Sequence, residues 1–173
     1  MTLTVRPAVT ADVGAIHSLV ETYTASRRLL AKATVTLYED VQEFMVAERG
    51  GEVVACGALH VMWEDLAEVR TLAVAPQEVG RGVGGAVLDA LLARADDLGV
   101  RRVFCLTFER EFFGGRGFVE ISGTPVPHDV FEQLLQSYDE GVAEFLDLER
   151  VKPNTLGNYR MLRVAPEADV MIN

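Results

Sequence analysis

The sequence predicts an α/β fold in which helices pack on a mixed β-sheet. Two apolar segments, residues 44–48 and 53–61, flank a Gly50-Gly51 pair, and this arrangement is typical of an antiparallel hairpin. Later in the chain, two further apolar segments flank a strongly helical stretch, which is the pattern of a strand–helix–strand unit. A chain that contains both arrangements is expected to form antiparallel and parallel strand pairs in one sheet.

The first third of the chain predicts a strand and two helices. Residues 2–6 alternate like a short strand, and Thr10 is the expected N-cap of a helix that extends to Tyr23. Segment 26–36 mixes basic and apolar residues without a clear period. A second short helix is predicted over residues 37–42, directly before the hairpin.

The middle of the chain carries the clearest periodicity. Residues 68–75 predict a third strand that Pro76 terminates, because proline cannot donate to a sheet. Residues 83–98 present one apolar stripe at helical spacing, and Gly99 is the expected C-cap. Residues 103–108 are almost continuously apolar, which predicts an interior strand.

The last third predicts shorter elements. A helical turn is expected over residues 110–114 and a strand over 118–121. Residues 130–138 form a helix candidate, and residues 159–164 alternate like a final strand.

Composition limits the classes of function. The chain has 173 residues, 49% of them hydrophobic, which fits one domain over residues 1–173. Its 16 basic and 26 acidic residues give a net charge of −10, which disfavours nucleic acid and anionic membranes as partners. No apolar run could span a bilayer and no targeting segment is visible, so a cytoplasmic location is expected.

The cysteines and histidines predict no metal site. Cys56 and Cys105 lie in apolar runs, which favours buried free thiols. His17, His60 and His128 are scattered and show no zinc spacing.

A glycine-rich loop over residues 76–85 separates the third strand from the strong helix. Glycines at a helix N-terminus allow backbone N–H groups to approach a phosphate, although a tight turn that binds nothing would use the same residues. Gly80, Gly82 and Gly85 match the dinucleotide fingerprint G-x-G-x-x-G, and Glu109 follows where a ribose-binding acid could lie. However, residues 76–79 separate the first glycine from the strand, which a dinucleotide fold does not allow.

The same loop also reads Q-x-x-G-x-G, as Gln77, Gly80 and Gly82. This pattern resembles the pyrophosphate loop of the GCN5-related N-acetyltransferases, and three features in the same order support the resemblance: the preceding hairpin, the strand end Leu106-Thr107, and Phe112-Phe113-Gly-Gly-Arg-Gly-Phe118. The resemblance implies a mixed, mostly antiparallel central sheet flanked by helices, and acetyl-CoA as the co-substrate.

Four other segments, residues 29–37, 54–59, 67–70 and 152–162, resemble short stand-alone bacterial N-acetylglutamate synthases. Larger members carry an amino-acid-kinase domain, for which 173 residues leave no room. The resemblance implies transfer of acetyl to the α-amino group of glutamate, with glutamine as an open alternative, in the first step of arginine biosynthesis. By analogy with the superfamily a homodimer is expected.

The resemblance also implies site residues. The acetyl-CoA site would comprise the backbone of one strand, the glycine loop and the aromatic segment after it: Leu72, Ala73, Val74, Gln77, Val79, Gly80, Arg81, Gly82, Val83, Gly84, Thr107, Phe112, Phe113 and Arg116. The strand backbone would also polarise the thioester carbonyl.

Catalytic and substrate residues are less strongly marked. Glu68 is the favoured general base and His60 the second candidate. Phe113 replaces the tyrosine that many relatives use to protonate the thiolate, so Tyr159 is the candidate acid. The expected substrate-binding residues are Lys32, Arg70, Asn158 and Arg160. Arg70 interrupts an apolar strand and needs a partner, either a ligand carboxylate, which we favour, or a protein acid such as Glu68.

Three other functions stay open at the level of sequence. The chain could acetylate another small amine or a protein N-terminus. It could be a dinucleotide-binding oxidoreductase through the overlapping fingerprint. It could also bind an acyl-CoA without catalysis, because Phe113 cannot donate a proton.

Overall fold

The protein forms one seven-stranded sheet with the strand order β1-β2-β3-β4-β5-β7-β6 in a computed structural model that describes residues 1–167. Every neighbouring pair is antiparallel except β4 and β5, which are parallel. The mixed, mostly antiparallel sheet is therefore confirmed. The strands are β1 (Leu3–Pro7), β2 (Phe44–Arg49), β3 (Glu52–Trp63), β4 (Leu66–Val74), β5 (Arg102–Thr107), β6 (Val119–Glu120) and β7 (Tyr159–Val164).

Helices cover both faces of this sheet. They are α1 (Val13–Thr24), α2 (Thr34–Glu39), α3 (Val83–Asp97), α4 (Arg110–Gly114), α5 (His128–Leu134), α6 (Glu140–Phe145) and α7 (Lys152–Thr155). Side chains alternate between faces along a strand. Ala67 and Val103 therefore join the larger core with α1 and α3, whereas Leu66 and Phe104 join a smaller cluster with α5 and α6.

All seven predicted strands are confirmed, and so are the strong helix, its C-terminal Gly99 and the buried free thiols of Cys56 and Cys105. The predicted N-cap is wrong, because Thr10 begins a short 3₁₀ turn and makes no side-chain cap. Asp12 fixes this turn instead, since its carboxylate accepts the Val9 N–H at 2.8 Å and pairs with Arg6.

Two helix predictions need correction, and two helices were not predicted. The short helix predicted at 37–42 is α2, three residues earlier, followed by a 3₁₀ turn at Val41–Glu43. The helix predicted at 130–138 is α5, which begins at His128 and ends at Leu134. The sequence did not predict α6 or α7, because both are too short to establish a helical period.

A gap between β4 and β5 is the feature of the sheet that matters most for the site. The two strands pair only from Leu66 to Glu68 on one side and from Arg102 to Phe104 on the other. Beyond Glu68 they diverge, so β4 keeps β3 as its neighbour and, within residues 1–167, has no hydrogen-bonded strand on its other edge.

Candidate active site

A cavity of about 530 Å³ fills the gap between the diverging strands. Its wall is built from the C-terminal half of β4, the glycine loop with the start of α3, the end of β5, and α4. Such a cleft, with apolar walls and a few polar groups at its ends, is the usual form of a small-molecule site.

The glycine loop presents free backbone donors to this cavity. Within the described residues, the N–H groups of Gly80, Gly82, Val83, Gly84 and Gly85 donate to no backbone acceptor. Gly82 caps α3 with φ = 78°, a conformation that strains other residues. A helix N-terminus with several unpaired N–H groups attracts an anion such as a phosphate.

The N–H groups of two residues in this loop are already hydrogen-bonded within the loop. The Val79 N–H donates to Pro76 O, and the Arg81 N–H donates to Glu78 O. The free donors are therefore the N–H groups of Gly80 and of residues 82–85, and those of Val79 and Arg81 are not among them.

Arg116 and Phe112 form the wall beside the start of α3. The Arg116 guanidinium lies 5.1 Å from the centre of the Phe112 ring and pairs with Asp89 at 2.8 Å. A Cβ at Gly85 would lie 2.2 Å from Arg116 Nη2, so the guanidinium packs directly against the backbone of this glycine. The arrangement places a cation next to the free N–H groups.

A β-bulge changes the direction of the β4 backbone where this strand borders the cavity. Ala58 faces Arg70 and Cys56 faces Ala73, so two residues of β4, Thr71 and Leu72, oppose one residue of β3. Thr71 has φ = 57°, which is strained for a β-branched side chain. At the end of the strand, the Tyr23 hydroxyl donates to Val74 O.

Glu68 is buried next to this cavity without a hydrogen-bond donor for its Oε2 among the described residues. Desolvation raises its pKa to about 8, although the charge of Arg70 opposes the shift. Helix α6 closes over it, since a Cβ at Gly141 would lie only 2.0 Å from Oε2. A carboxylate with such a pKa can exchange protons near neutral pH.

Arg70 is the centre of an ion-pair cluster on the same face as Glu68. Its Nη1 donates to both carboxylate oxygens of Asp139, at 2.9 and 2.8 Å, and its Nη2 donates to Glu43 at 3.4 Å. Nη1 lies 3.7 Å from Glu68 Oε2. Burial disfavours its charge, but these carboxylates outweigh that effect and raise the pKa of Arg70.

His60 and Glu144 complete the cluster. His60 Nδ1 lies 2.7 Å from Glu43 Oε1, and this hydrogen bond raises the pKa of the imidazole. Desolvation raises the pKa of Glu144 to about 7, and the charges of Glu140 and Asp139 add to the shift. The cluster thus holds four carboxylates around one arginine and one histidine.

The structure places most of the predicted acetyl-CoA residues in the cavity wall: Leu72, Val74, Val79, Gly80, Gly82, Val83, Gly84, Thr107, Phe112, Phe113 and Arg116. It does not bring Ala73, Gln77 or Arg81 there. Gln77 faces a separate groove next to α1, and the exposed Arg81 side chain pairs with Glu78 at 3.4 Å.

The predicted substrate residues lie in different surroundings. Arg70 lines the cavity, but its partners are protein acids, which corrects the preference for a ligand carboxylate. Arg160 donates to Gly123 O and Phe145 O, so its guanidinium tethers main chain and is withdrawn as a substrate residue. Lys32 lies in the segment between α1 and α2. Desolvation raises the pKa of Asp40 and of Glu144, and the charge of Lys32 opposes part of each shift.

Asn158 and Tyr159 lie at the start of β7. Asn158 donates its backbone N–H to Thr155 O. Tyr159 pairs in register with Thr107, which lines the cavity, and its ring lies 5.4 Å from the Arg110 guanidinium. Tyr159 itself is not part of the cavity wall.

Several site residues escaped the sequence analysis, namely Tyr23, Arg28, Glu43, Asp139 and Glu144. Only Asp139 carries a local signal, because an aspartate before a short apolar segment is a common N-cap. Its Oδ1 accepts the Val142 N–H at 3.1 Å.

In residues 1–167, no helix is long and apolar enough to cross a bilayer. The same part of the chain contains no group of three or more His, Cys, Asp or Glu residues arranged to hold a metal ion.

The sequence matches the acetyltransferase (GNAT) family over residues 14–118. It is 60% identical to an amino-acid acetyltransferase from Mycobacterium tuberculosis (strain ATCC 25618 / H37Rv) over 163 residues, which cover 92% of this chain and 93% of that protein. Both matches include the glycine loop and the strands on either side of the cavity.

Two solved structures are similar to the fold. Rv2747 from Mycobacterium tuberculosis, in complex with CoA and NLQ, superimposes with a TM-score of 0.91 at 59% identity, over 94% of this chain and 99% of that one. An N-acetylglutamate synthase from Neisseria gonorrhoeae, complexed with coenzyme A and N-acetyl-glutamate, gives a TM-score of 0.75 at 23% identity. That match covers 96% of this chain but 36% of the other, and it shows the fold alone.

Proposed function

The chain belongs to the acetyltransferase (GNAT) family, and on that premise we propose that it transfers the acetyl group of acetyl-CoA to the α-amino group of glutamate or glutamine. The reaction with glutamate would yield N-acetylglutamate, the first intermediate of arginine biosynthesis. The mycobacterial relative, an amino-acid acetyltransferase by name, supports an amino acid as the acceptor.

The cavity is suited to acetyl-CoA along its whole length. The free N–H groups from Gly80 to Gly85 would hold the pyrophosphate, with Arg116 as the nearby cation. The unpaired edge of β4 would hydrogen-bond the pantetheine arm, and the bulge at Thr71 would direct backbone donors to the thioester oxygen. The CoA complex of the 59% identical Rv2747 supports this assignment.

Glu68 is the proposed base of the reaction. The α-ammonium group of the amino acid must lose a proton before its nitrogen can attack, so the reaction needs a base. Glu68 lies behind Arg70 and not in the cavity wall, so the proton would pass through an intervening water. The amine nitrogen then attacks the thioester carbon and the C–S bond breaks.

The CoA sulfur departs as a thiolate, which either takes a proton from a donor in the site or leaves without one. Phe113 is buried in the core and has no acidic hydrogen, so it cannot supply this proton. Tyr159 stays the candidate donor, because it pairs with Thr107 at the cavity edge. A thiol with a pKa near 8.5 can also leave without a donor.

Lys32 is the proposed partner of a substrate carboxylate. It makes no ion pair within 4 Å among the described residues, whereas Arg70 and Arg160 are committed to protein groups. Its charge favours the ionised forms of Asp40 and Glu144, which supports a position near the cluster that contains the base. Asn158, at the start of β7, would add a hydrogen bond.

The observation that carries the proposal is a cavity whose wall contains both a row of free N–H groups and Arg70, the neighbour of the buried Glu68. It is tested by measuring thiol release from acetyl-CoA with a panel of amino acids, polyamines and peptide N-termini. We expect turnover with glutamate or glutamine. If both fail while another amine reacts, the assigned substrate is wrong; if no amine reacts although CoA binds, the protein is a non-catalytic acyl-CoA sensor.

The dinucleotide-binding alternative is withdrawn. A dinucleotide fold needs several adjacent parallel strands, and only β4 and β5 are parallel among the described residues. A single domain over residues 1–173, a homodimer and a cytoplasmic location stay predictions.

A further inference from the structure

Two carboxylates compete for one nitrogen of Arg70. Asp139 accepts from Nη1 with both of its oxygens, at 2.9 and 2.8 Å. Glu68 Oε2 lies 3.7 Å from the same nitrogen, beyond hydrogen-bond distance, and has no other described donor. A buried carboxylate oxygen next to an arginine normally accepts a hydrogen bond from it. Here Arg70 Nη1 donates to Asp139 and not to Glu68, and this preference needs an explanation.

Asp139 accepts the hydrogen bonds of Arg70 Nη1 because α6 holds its carboxylate in place. It is the N-cap of α6, where its Oδ1 accepts the Val142 N–H. The helix is anchored on the sheet by Phe145, whose ring contacts Phe104 edge-on with centroids 5.2 Å apart. Gly141, two residues after Asp139, closes directly over Glu68.

We infer that Asp139 is a positioning residue for the proposed base: by occupying Arg70 Nη1, it keeps Glu68 Oε2 free of a donor and able to accept a proton. This inference rests on the proposed role of Glu68 in catalysis. A free arginine donor would stabilise the carboxylate form of Glu68 and make it a weaker base.

The charged groups around Glu68 act on it in both directions. Arg70 on β4 and His60 on β3 favour the carboxylate, whereas Glu144 and Asp139 on α6 oppose it. Cys105 on β5 is a buried neutral thiol whose own pKa is raised. Glu43 holds the second nitrogen of Arg70, so it too keeps the guanidinium away from Glu68.

The first test is the pH dependence of kcat/KM in Asp139→Asn. Asparagine retains an oxygen for the helix cap but binds Arg70 more weakly, so Nη1 can turn to Glu68. We expect the acid limb of the profile to move down by about one pH unit, and kcat on the plateau to fall severalfold because the base is weaker. Glu140→Gln removes one charge from the same helix and should leave the limb in place. An Asp139→Asn limb that stays or moves up overturns the inference.

The second test needs no activity and therefore separates this inference from the proposed function. Thermal unfolding is measured between pH 5 and pH 9 for four proteins: the parent, Glu68→Gln, Asp139→Asn and the double variant. The difference in melting temperature between a protein with Glu68→Gln and the same protein without it grows with pH. It stops growing once the pH exceeds the pKa of Glu68 in the folded protein. We expect this growth to stop at lower pH in the Asp139→Asn background. The same end point in both backgrounds contradicts the inference, even if no amine is ever acetylated.

Discussion

Burial of Glu68 couples its protonation to folding. Its pKa is raised to about 8 in the folded protein, from an ordinary value near 4.5, so the folded state binds the proton more tightly than the unfolded state. The contribution of this proton to the free energy of unfolding is therefore fully present below pH 4.5 and is lost as the pH rises through 8.

Glu68→Gln should remove this loss, because glutamine stays neutral. We expect the melting temperature of the variant to exceed that of the parent by a margin that grows from pH 5 to pH 8, as measured by differential scanning calorimetry. Glu52→Gln, at an exposed hairpin position, serves as the control and should show no such growth. A constant difference across this range would mean that Glu68 is already ionised in the folded protein at low pH.

Lys32 gives a prediction about substrate affinity. Lys32→Ala should raise the KM for the amino acid by about 10-fold to 100-fold, the usual effect of losing a charged hydrogen bond of roughly 1.5–3 kcal/mol. The KM for acetyl-CoA should stay unchanged in the same steady-state assay. Lys152→Ala removes the only other lysine of the chain, which is exposed and pairs with Glu149, and should change neither constant. Equal effects of the two variants would refute a specific role for Lys32.

Single residues were partly predictable from the sequence. A charge at Arg70 within an apolar strand indicated a buried partner, and Glu68 was one of the two candidates. The dominant partners, Asp139 and Glu43, lie 69 and 27 residues away in the sequence. Only the packing of α6 and of the turn before β2 brings them to Arg70, and no local pattern reports such contacts.

At the scale of elements, α6 must approach the sheet closely enough to cover Glu68. Gly141→Ala should therefore slow kcat at least 10-fold, since its Cβ would lie 2.0 Å from Glu68 Oε2 and force the carboxylate or the helix to move. CoA affinity, measured separately by calorimetry, should be retained.

Gly14→Ala is the matched control for this substitution. Gly14 also lies in the first turn of a helix, and an added Cβ there meets no atom within 4 Å. It should leave kcat unchanged and increase stability by up to about 1 kcal/mol through helix propensity. If Gly141→Ala behaves in the same way, the close fit of α6 over the base has no functional consequence.

The predictability of an element followed its length and its period. The apolar stripe of α3 and the alternating residues of β7 were sufficient to place both elements. The position of β7 between β5 and β6 was not predicted, because a strand pattern does not specify its neighbours. Helix α6 was missed because its six residues make fewer than two turns, which is too short to establish a helical period.

At the scale of the whole molecule, two cores of unequal size hold the sheet. The larger core contains α1 and α3, and the smaller cluster contains α5 and α6. A smaller cluster has less buried apolar surface to resist local opening. We expect backbone amides of α6 to exchange with deuterium faster than those of α3, as followed by hydrogen-exchange mass spectrometry. Slower exchange in α6 would contradict this ranking.

The mixed sheet was predictable because its hairpin and its strand–helix–strand unit each have a local signature. The divergence of β4 from β5 was not, since a buried apolar residue such as Val69 fits a paired strand equally well. The structure shows the divergence as a register that ends at Glu68.

The most direct test of the account is a calorimetric titration of CoA into the intact protein, into Gly82→Glu and into Gly99→Glu. Both glycines have φ = 78° and open space around them, at opposite ends of α3, so both variants carry the same backbone strain and the same added charge. We predict that the parent and Gly99→Glu bind CoA alike and that Gly82→Glu does not bind it. Absence of binding to the folded parent, or equal weakening in both variants, would contradict a diphosphate site on the free N–H groups of the loop.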